Sequence, residues 1–323
     1  MKKMIRSWLK SFEIMHVLNA KRHVKINKKL QRKLKDPTKY ALEQYENYYK
    51  RKPNLTNPTR FSEFMLWQKL FFYKEEATTL TDKVESKKLI NELIGSEITF
   101  PKTYAVFDNA EDIIFENLPQ KCVIKCNHIS GSVFLVEKLS KNKYLIKNLK
   151  YDSNKNIKFR TLQKVLNEML KINHYYYNLE WNYKNIVPKI LVEEYLDTKN
   201  LRDYKFYMNY DKLIAFHIAS NRATDERNDF FDANLQPLDI WADVPPSDKV
   251  PSLPDNILQM IEIAKKIAKD YPVLRVDLYN INGKIYFSEA TFYHLGGLLR
   301  FKSPKNFDEL MGENMSIKAK DKK

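Results

Sequence analysis

Glycine and cysteine are scarce in this sequence. Its 323 residues include 6 Gly and 2 Cys. We find no glycine-rich phosphate loop of the Walker type and no repeated β-helix-β unit with a dinucleotide fingerprint. Cys122 and Cys126 lie four residues apart in an apparent strand, where they would be about 13 Å apart, too far for a disulfide. We interpret both as reduced, buried thiols of a cytosolic protein.

Long apolar runs are also missing. No stretch of about 18 uncharged apolar residues occurs, and the first residues lack the apolar segment of a secretion signal, so we expect a cytoplasmic protein without a transmembrane helix. Positive charge, by contrast, is abundant: 56 Lys and Arg oppose 40 Asp and Glu, a formal net charge of +16. This excess favours phosphates, nucleic acid, acidic glycans or an anionic membrane surface without choosing among them.

The first 35 residues combine apolar and basic side chains at helical spacing. The apolar members are Ile5, Trp8, Leu9, Phe12 and Met15. A basic stretch from Lys21 to Lys35 follows. The pattern fits a peripheral helix that lies in an anionic membrane interface. It fits equally a helix that docks on its own domain and leaves a basic face in solvent.

Patterning predicts helices first and a mixed body afterwards. We expect helical structure to about residue 76, interrupted at 53–58, and then a capped helix over 81–95. Two further helices are predicted at 161–173 and 255–269. The predicted β-rich runs are 98–107, 121–126, 132–138, 187–194, 203–209, 212–219, 273–280 and 284–290. This mixture indicates α+β layers and argues against a doubly wound parallel sheet.

The segment 275–292 carries the strongest chemical signal. Two alternating runs are joined by an Asn-Gly turn, which is typical of a hairpin, and Arg275 and Asp277 share one face. Whether Glu289 joins them depends on register. A two-residue turn would leave Glu289 on the far face, whereas a three-residue loop at 281–283 would set it opposite Arg275. We predict the three-residue loop.

Two carboxylates beside an arginine would form a site for Mg²⁺ and phosphate. The oxygens of Asp277 and Glu289 are hard ligands suited to Mg²⁺, which bridges phosphate oxygens. Arg275 would stabilise charge on a transferred phosphoryl group or a tetrahedral intermediate. Taken alone, the same residues also fit an exposed sheet face with an Arg–Glu cross-strand pair.

Two upstream segments carry weaker signals. Lys125 lies on a strand that leads into a loop with Ser130 and Gly131, whose backbone N–H groups could bind phosphates while the lysine supplies a charge. A later apolar strand ends in Glu193 and Glu194, which could bind the ribose hydroxyls and exocyclic amine of a nucleotide. A solvated strand end is the alternative for these acids.

In their order along the chain, these motifs resemble those of ATP-grasp ligases. More narrowly, they are similar to the teichuronopeptide-biosynthesis (TupA-like) branch, which occurs with bacterial capsule and cell-envelope polysaccharide genes. The resemblance covers about residues 40–300. Its segments are NLTNPTRFSEFMLWQKL (54–70), LTDKVESKKLI (80–90), VIKCNHISG (123–131), YYYNLEWNYKNIVPKILVEEYL (175–196), DYKFYMNYDKLIAF (203–216), SNR (220–222) and VLRVDLYNINGKIYFSEATFY (273–293).

The resemblance implies an ATP-grasp fold of the α+β class, in which two α+β lobes sandwich ATP and a basic helical extension precedes them. The implied boundaries are 1–76 for the helical region, 77–195 for the first lobe, 196–311 for the second lobe and 312–323 for a polar tail. The implied activity is ATP-dependent ligation of a carboxylate to an amine through an acyl phosphate, acting on a surface polysaccharide or its precursor.

The resemblance also implies roles for single residues. Those expected to bind ATP are Lys83, Lys125, Ser130, Gly131, Glu193, Glu194, Tyr195, Leu196 and Lys205. Asp277 and Glu289 would hold Mg²⁺, and Arg275 and Arg222 would act at the reacting centre. Thr291 departs from the pattern, because many ATP-grasp enzymes carry Asn there, and this change would weaken binding of a second metal.

Other interpretations remain open. A glycosyltransferase could serve the same pathways, although we find no compact Asp-x-Asp motif, and a non-catalytic protein could bind membrane or nucleic acid through residues 1–35. His128 and His294 could deprotonate an amine, but a lone histidine more often has a structural role. Tyrosines 175–177 and Trp181 could stack on a sugar, although core packing is favoured.

Overall fold

Helices and antiparallel strands make up the described part of the chain. The structure, a computed structural model, describes residues 2–140, 143–148, 156–196, 201–221 and 225–321, with residues 2–12 and 143 described by backbone alone. Within these ranges the α-helices are α1 (Lys2–Lys33), α2 (Pro37–Tyr49), α3 (Phe61–Phe71), α4 (Glu76–Thr81), α5 (Glu85–Ile94), α6 (Phe159–Met169), α7 (Tyr175–Asn178), α8 (Ile257–Ala268) and α9 (Phe307–Glu313). The strands are β1 (Thr103–Phe107), β2 (Lys121–Cys126), β3 (Val133–Ser140), β4 (Lys143–Asn148), β5 (Ile190–Glu194), β6 (Asp203–Asn209), β7 (Lys212–Ser220), β8 (Arg227–Asp232), β9 (Pro237–Leu238), β10 (Leu274–Ile281) and β11 (Lys284–Thr291).

These strands form two separate sheets. The first sheet has the order β1-β5-β2-β3-β4, and the second has the order β11-β10-β6-β7-β8-β9. One apolar core lies between the first sheet and the helices α1 and α6, and another lies between the second sheet and α5 and α8. Because side chains alternate along a strand, burial of Leu274, Val276 and Leu278 against α8 turns Arg275 and Asp277 to the opposite face.

The helix α1 packs on its own domain. This agrees with the second of the two interpretations of the first 35 residues, a docked helix with a basic face in solvent. Val17, Ala20 and Val24, spaced by three and four residues, pack into the core beside α6. Asn27 donates to the carbonyl oxygen of Asn173 at 2.8 Å and accepts from its backbone N–H at 3.1 Å. No helix among the described residues has the length and apolar character needed to cross a bilayer.

Most predicted elements are present, with shifted ends. The helix expected over 81–95 begins at Glu85, after α4, and ends before Gly95 as predicted. The strands β4, β8 and β9 were missed. All three lie at or next to a sheet edge, and charged residues in β4 and β8 hide the alternation. Both cysteines are free and buried, as expected.

The tyrosine stripe packs in the interior, which confirms the favoured interpretation. Tyr175 joins a core cluster with Ala41 and Tyr45 of α2. Trp181 packs against the same cluster, and its ring lies 4.6 Å from that of Tyr73.

Gly312 of α9 lies where this helix touches the segment before α3. A Cβ at this position would overlap the carbonyl oxygen of Thr59 and the Cα of Arg60. Backbone atoms cannot rotate away as a side chain can, so we expect Gly312→Ala to lower the free energy of unfolding by about 2 kcal/mol, against the usual helical preference for Ala. Urea unfolding measures the change.

The neighbouring Glu313 is exposed and belongs to the same helix, so Glu313→Ala is the matched control. This control should change the free energy of unfolding by less than about 0.5 kcal/mol. Equal stability of Gly312→Ala and the wild type would show that α9 shifts freely, contrary to this prediction.

Candidate active site

The turn between β10 and β11 differs from the prediction. Asn282 and Gly283 have φ angles of 52° and 81°, the left-handed conformation that a two-residue hairpin turn requires. Ile281 pairs directly with Lys284. The predicted three-residue loop at 281–283 is therefore wrong, because Ile281 belongs to the strand.

A β-bulge nevertheless brings Glu289 to the face of Asp277. Leu278 pairs with Phe287, but the next pair joins Asp277 to Glu289, so Ser288 is the extra residue of the bulge. One additional residue reverses the face on which all later side chains lie. Glu289 thus lies directly across from Asp277, and not across from Arg275 as predicted.

A row of polar side chains crosses the second sheet at this level. Glu289 on β11 is opposite Asp277 on β10, which is opposite Lys205 on β6, which is opposite His217 on β7. Residues paired across antiparallel strands project from the same face with Cβ atoms about 5 Å apart. The row is therefore a continuous polar strip, and His217 is a member that sequence reasoning missed.

Arg275 binds the acids of this row. Its Nε and Nη2 atoms donate to the two carboxylate oxygens of Asp277, each at 2.7 Å. Nη2 also lies 3.5 Å from Oε1 of Glu289 and 3.2 Å from Oγ1 of Thr291. Burial alone would raise the pKa of Asp277, but Arg275 and Lys205 hold it well below its usual range. Asp277 is therefore ionised at neutral pH.

Lys205 lies between two aspartates. Its Nζ atom forms ion pairs with Asp277 and, at 2.6 Å, with Asp203. Asp203 precedes Lys205 by two residues and so shares its face. A phosphate that binds Lys205 must compete with these two carboxylates. Alternation along β6 is the signal that would have found Asp203.

The first sheet carries a second group of paired charges. Glu193 forms ion pairs with Lys125 and, at 3.1 Å, with Lys87. Burial would raise the pKa of Glu193, and the two lysines lower it further than burial raises it. Sequence reasoning missed Lys87, which lies in the first turn of α5, four residues after Lys83. In this structure Glu193 pairs with two lysines on the first sheet.

Lys83 is hydrogen-bonded to the loop after β2. Its Nζ atom donates to the carbonyl oxygens of Asn127 at 3.1 Å and Ile129 at 2.9 Å, at the end of β2. Burial lowers the pKa of Lys83, the carboxylate of Glu289 opposes this shift, and Lys125 adds to it. The ammonium group is thus in electrostatic reach of residues from both sheets.

Asp82 fixes the position of this lysine. One carboxylate oxygen of Asp82 accepts from the backbone N–H groups of Val84 at 2.8 Å and Glu85 at 3.4 Å, where α5 begins. The other oxygen accepts from the side chain of Asn127 at 2.9 Å. The start of α5 is thereby tied to the loop after β2, and Lys83 is held between them.

The loop after β2 has the conformation expected of a small-residue turn. Ser130 is exposed, and Gly131 has a φ angle of 82°. Ser132 lies beneath it and accepts from the backbone N–H of Cys126 at 2.9 Å. Arg222, predicted at the reacting centre, lies outside the described residues.

Three residues predicted to bind the nucleotide, Glu194, Tyr195 and Leu196, lie at and after the end of β5. Glu194 accepts from the backbone N–H of Lys102 at 3.1 Å. The ring centroid of Tyr195 lies 4.2 Å from Nζ of Lys121, and Leu196 is half-buried. Glu194 therefore holds the segment before β1 against the end of β5.

Both candidate histidines have protein partners. His128 is buried between the side-chain oxygen of Asn127 at 3.1 Å and the carbonyl oxygen of Met169 at 3.3 Å, and burial lowers its pKa to about 4. The Nδ1 atom of His294 lies 2.9 Å from the hydroxyl of Tyr207, and burial, with Arg275 adding to it, lowers its pKa well below the usual value. Both rings are neutral at pH 7.

The two antiparallel sheets with their covering helices are an α+β arrangement, and comparison with known families identifies it as the ATP-grasp fold. The family model described as TupA-like ATP-grasp matches residues 63–316, which is more than three quarters of the chain. The chain belongs to this family.

Solved structures of several ligases are similar to parts of the chain. The D-alanine–D-alanine ligase of Bacillus anthracis complexed with ATP is 17% identical, with a TM-score of 0.37 over 71% of this chain and 57% of the ligase. The Helicobacter pylori D-alanine–D-alanine ligase is 15% identical, with a TM-score of 0.38 over 73% and 61%. The L-amino acid ligase of Bacillus licheniformis is 10% identical, with a TM-score of 0.37 over 66% and 41%. The chain thus spans less than two thirds of each of these proteins, and no curated protein matches its sequence.

Proposed function

We propose that this protein is an ATP-dependent ligase that joins a carboxylate to an amine through an acyl phosphate. The observation that carries the proposal is the row of Glu289, Asp277 and Lys205 across the second sheet. The first sheet adds Lys87 and Lys125, both paired with Glu193. Cations from both sides and carboxylates on one hairpin match the need of phosphoryl transfer, which is to position phosphates and neutralise their charge. Membership in the TupA-like family agrees with this activity.

The hairpin carboxylates fit Mg²⁺. This ion is usually held by one or two carboxylates together with substrate phosphates. The side chain of Glu289 is 45% exposed and meets Arg275 only at 3.5 Å, so its oxygens are accessible. Asp277 is enclosed by Arg275 and Lys205 and would take part once Lys205 turns towards phosphate. Bound Mg²⁺ would neutralise phosphate charge, and Thr291 favours one firmly held ion over two.

In the proposed reaction, a carboxylate oxygen of the substrate attacks the γ-phosphorus of ATP and ADP leaves. The amine then displaces phosphate from the acyl phosphate and loses a proton. Lys83, Lys125 and Lys205 would orient the phosphates, and Arg275, assisted by Arg222, would stabilise the charge that develops. The adenine would lie along residues 193–196, and closure of the two lobes would exclude water from the acyl phosphate.

For the substrates, we propose an acidic sugar or an amino acid used to modify a surface polysaccharide or its precursor. Family membership supports this substrate class by analogy. Because the proposed reaction consumes ATP, the working compartment would be the cytoplasm.

Product analysis tests the proposed function. The purified protein is incubated with Mg-ATP and with pooled uronic-acid sugars and amino acids, separately and together. We expect ADP and phosphate in quantity only when an acid and an amine are both present. Hydroxylamine in place of the amine should trap the acyl phosphate as a hydroxamate. Cleavage of a sugar nucleotide without ATP turnover would contradict the proposal and indicate a glycosyltransferase.

Lys125→Met is expected to raise the KM for ATP at least about tenfold, because a charge-assisted bond to a phosphate contributes roughly 2 kcal/mol. Glu193 keeps Lys87 as a partner, so the fold should persist. Steady-state kinetics measures the effect.

Lys265→Met is the matched control for this variant. Lys265 lies on α8, away from the proposed ATP site, and pairs with its own acid, Glu262, at 2.7 Å. If both variants had the KM of the wild type, Lys125 would have no role in ATP binding.

A further inference from the structure

The helix α1 has a face that its own domain leaves uncovered. Val17, Ala20 and Val24 point into the core beside α6. At about 100° per residue, Met15 and Leu18 lie on the opposite half of the helix. Their side chains are 58% and 53% exposed, and the adjacent Ile14 is 48% exposed. Three large apolar residues are therefore in contact with solvent within little more than one turn.

The same outward half becomes basic after Leu18. Arg22, Lys25 and Lys29 are exposed and follow Leu18 at intervals of four, three and four residues, so they continue its line along the helix. Six basic residues of α1 lie close together around Val24 on this part of the helix. They are Lys21, Lys25, Lys28, Lys29, Arg32 and Lys33. These closely spaced cations suit an anionic partner.

We propose that α1 docks the protein on a membrane surface that carries anionic lipid headgroups. A dissolved polyanion would pair with Arg22, Lys25 and Lys29 but would gain nothing from exposed Met15 and Leu18. A bilayer interface satisfies both, since acyl chains accept the apolar residues while headgroup phosphates meet the cations. The helix would lie flat, with its core-facing side still packed on α6. This inference does not depend on the proposed ligase activity.

Vesicle co-sedimentation tests the proposal. The full-length protein is mixed with vesicles of phosphatidylcholine alone or with added phosphatidylglycerol, and we expect binding to the anionic vesicles alone. The triple variant Arg22→Gln, Lys25→Gln, Lys29→Gln should bind about a hundredfold more weakly. Each cation near such a surface raises the affinity for it about fivefold. Absence of wild-type binding to anionic vesicles would overturn the proposal.

A second variant separates a membrane from a soluble polyanion. Met15→Ser, Leu18→Ser keeps every charge and should weaken vesicle binding at least about tenfold, since it removes apolar area from the interface. If this variant bound as tightly as the wild type, and a soluble anionic polysaccharide displaced both from vesicles, the partner would be a dissolved polyanion.

The charge-matched control carries three substitutions far from α1, in exposed lysines. It is Lys88→Gln, Lys249→Gln, Lys269→Gln. We expect this control to keep nearly full binding. An equal loss in the control would show that net charge alone drives association. All α1 variants should melt at the wild-type temperature, because the altered side chains point away from the core.

Discussion

Glu289→Gln is expected to lower Mg²⁺-dependent ATP turnover at least about a hundredfold, a loss comparable to removing one preorganised group that stabilises transition-state charge. The amide keeps the shape of the side chain but brings no negative charge to a metal. Since Glu289 is half exposed and contacts Arg275 at 3.5 Å, the free energy of unfolding should stay within about 0.5 kcal/mol of the wild type. Measurements of kcat across Mg²⁺ concentrations and urea unfolding check both parts.

Glu137→Gln is the matched control for this variant. Glu137 also lies on a strand and faces a cation, Lys121, at 3.8 Å, but on the first sheet away from the hairpin. Its loss should leave turnover unchanged. Full activity of Glu289→Gln would mean that Glu289 is an ordinary cross-strand partner of Arg275, and the metal assignment would be wrong.

Asp277→Asn is expected to impair both turnover and stability. Asp277 is fully buried and paired with Arg275 and Lys205, so a neutral amide takes from Arg275 its buried acid and leaves Lys205 with Asp203 alone. Breaking such a pair typically costs about 3 kcal/mol or more of unfolding free energy. ATP turnover should fall at least about a hundredfold as well, since the variant loses a proposed metal ligand.

The stability difference should depend on pH in a defined direction. The folded-state pKa of Asp277 lies below its unfolded value, so ionised Asp277 stabilises the wild type fully above the unfolded pKa of about 3.9. As pH falls below about 4, the wild type should lose its advantage over Asp277→Asn. Urea unfolding of both proteins between pH 7 and pH 3 measures this convergence.

Asp229→Asn is the control for a buried aspartate that accepts hydrogen bonds from a serine. Asp229 is buried on the second sheet and accepts from the backbone and hydroxyl of Ser247 at 2.9 and 2.8 Å. We expect a loss of about 1 kcal/mol and normal turnover. If Asp277→Asn unfolded at the same urea concentration as the wild type, the charged network would contribute nothing to stability.

Sequence alone predicts the parts of the site that depend on local alternation. Arg275 and Asp277 share a face because they are two residues apart on one strand, and the structure agrees. The face of Glu289 was also predicted, but through a loop that does not form. A hydrophobic pattern does not reveal that Ser288 is an extra residue, because a β-bulge is set by pairing with the opposite strand.

Contacts between distant segments were beyond sequence reasoning. Lys125 meets Glu193 because β2 pairs with β5, although 67 residues separate the two in the chain. Lys205 meets Asp277 for the same reason, since β6 pairs with β10. One sequence contains no register between strands that are far apart, so the individual residues could be named while their partners could not.

The β-bulge at Ser288 also affects how sequences of related proteins are aligned over this hairpin. In a relative whose β11 lacks the extra residue, the position opposite the aspartate lies one residue nearer the turn. An acid with the place of Glu289 would then align, by simple counting, with Ser288. Removal of Ser288 would abolish the bulge and leave the carboxylate of Glu289 paired with Asp277. Equivalent acids in this hairpin are therefore matched by placing a gap at Ser288, because residue counting alone would pair an acid with a serine.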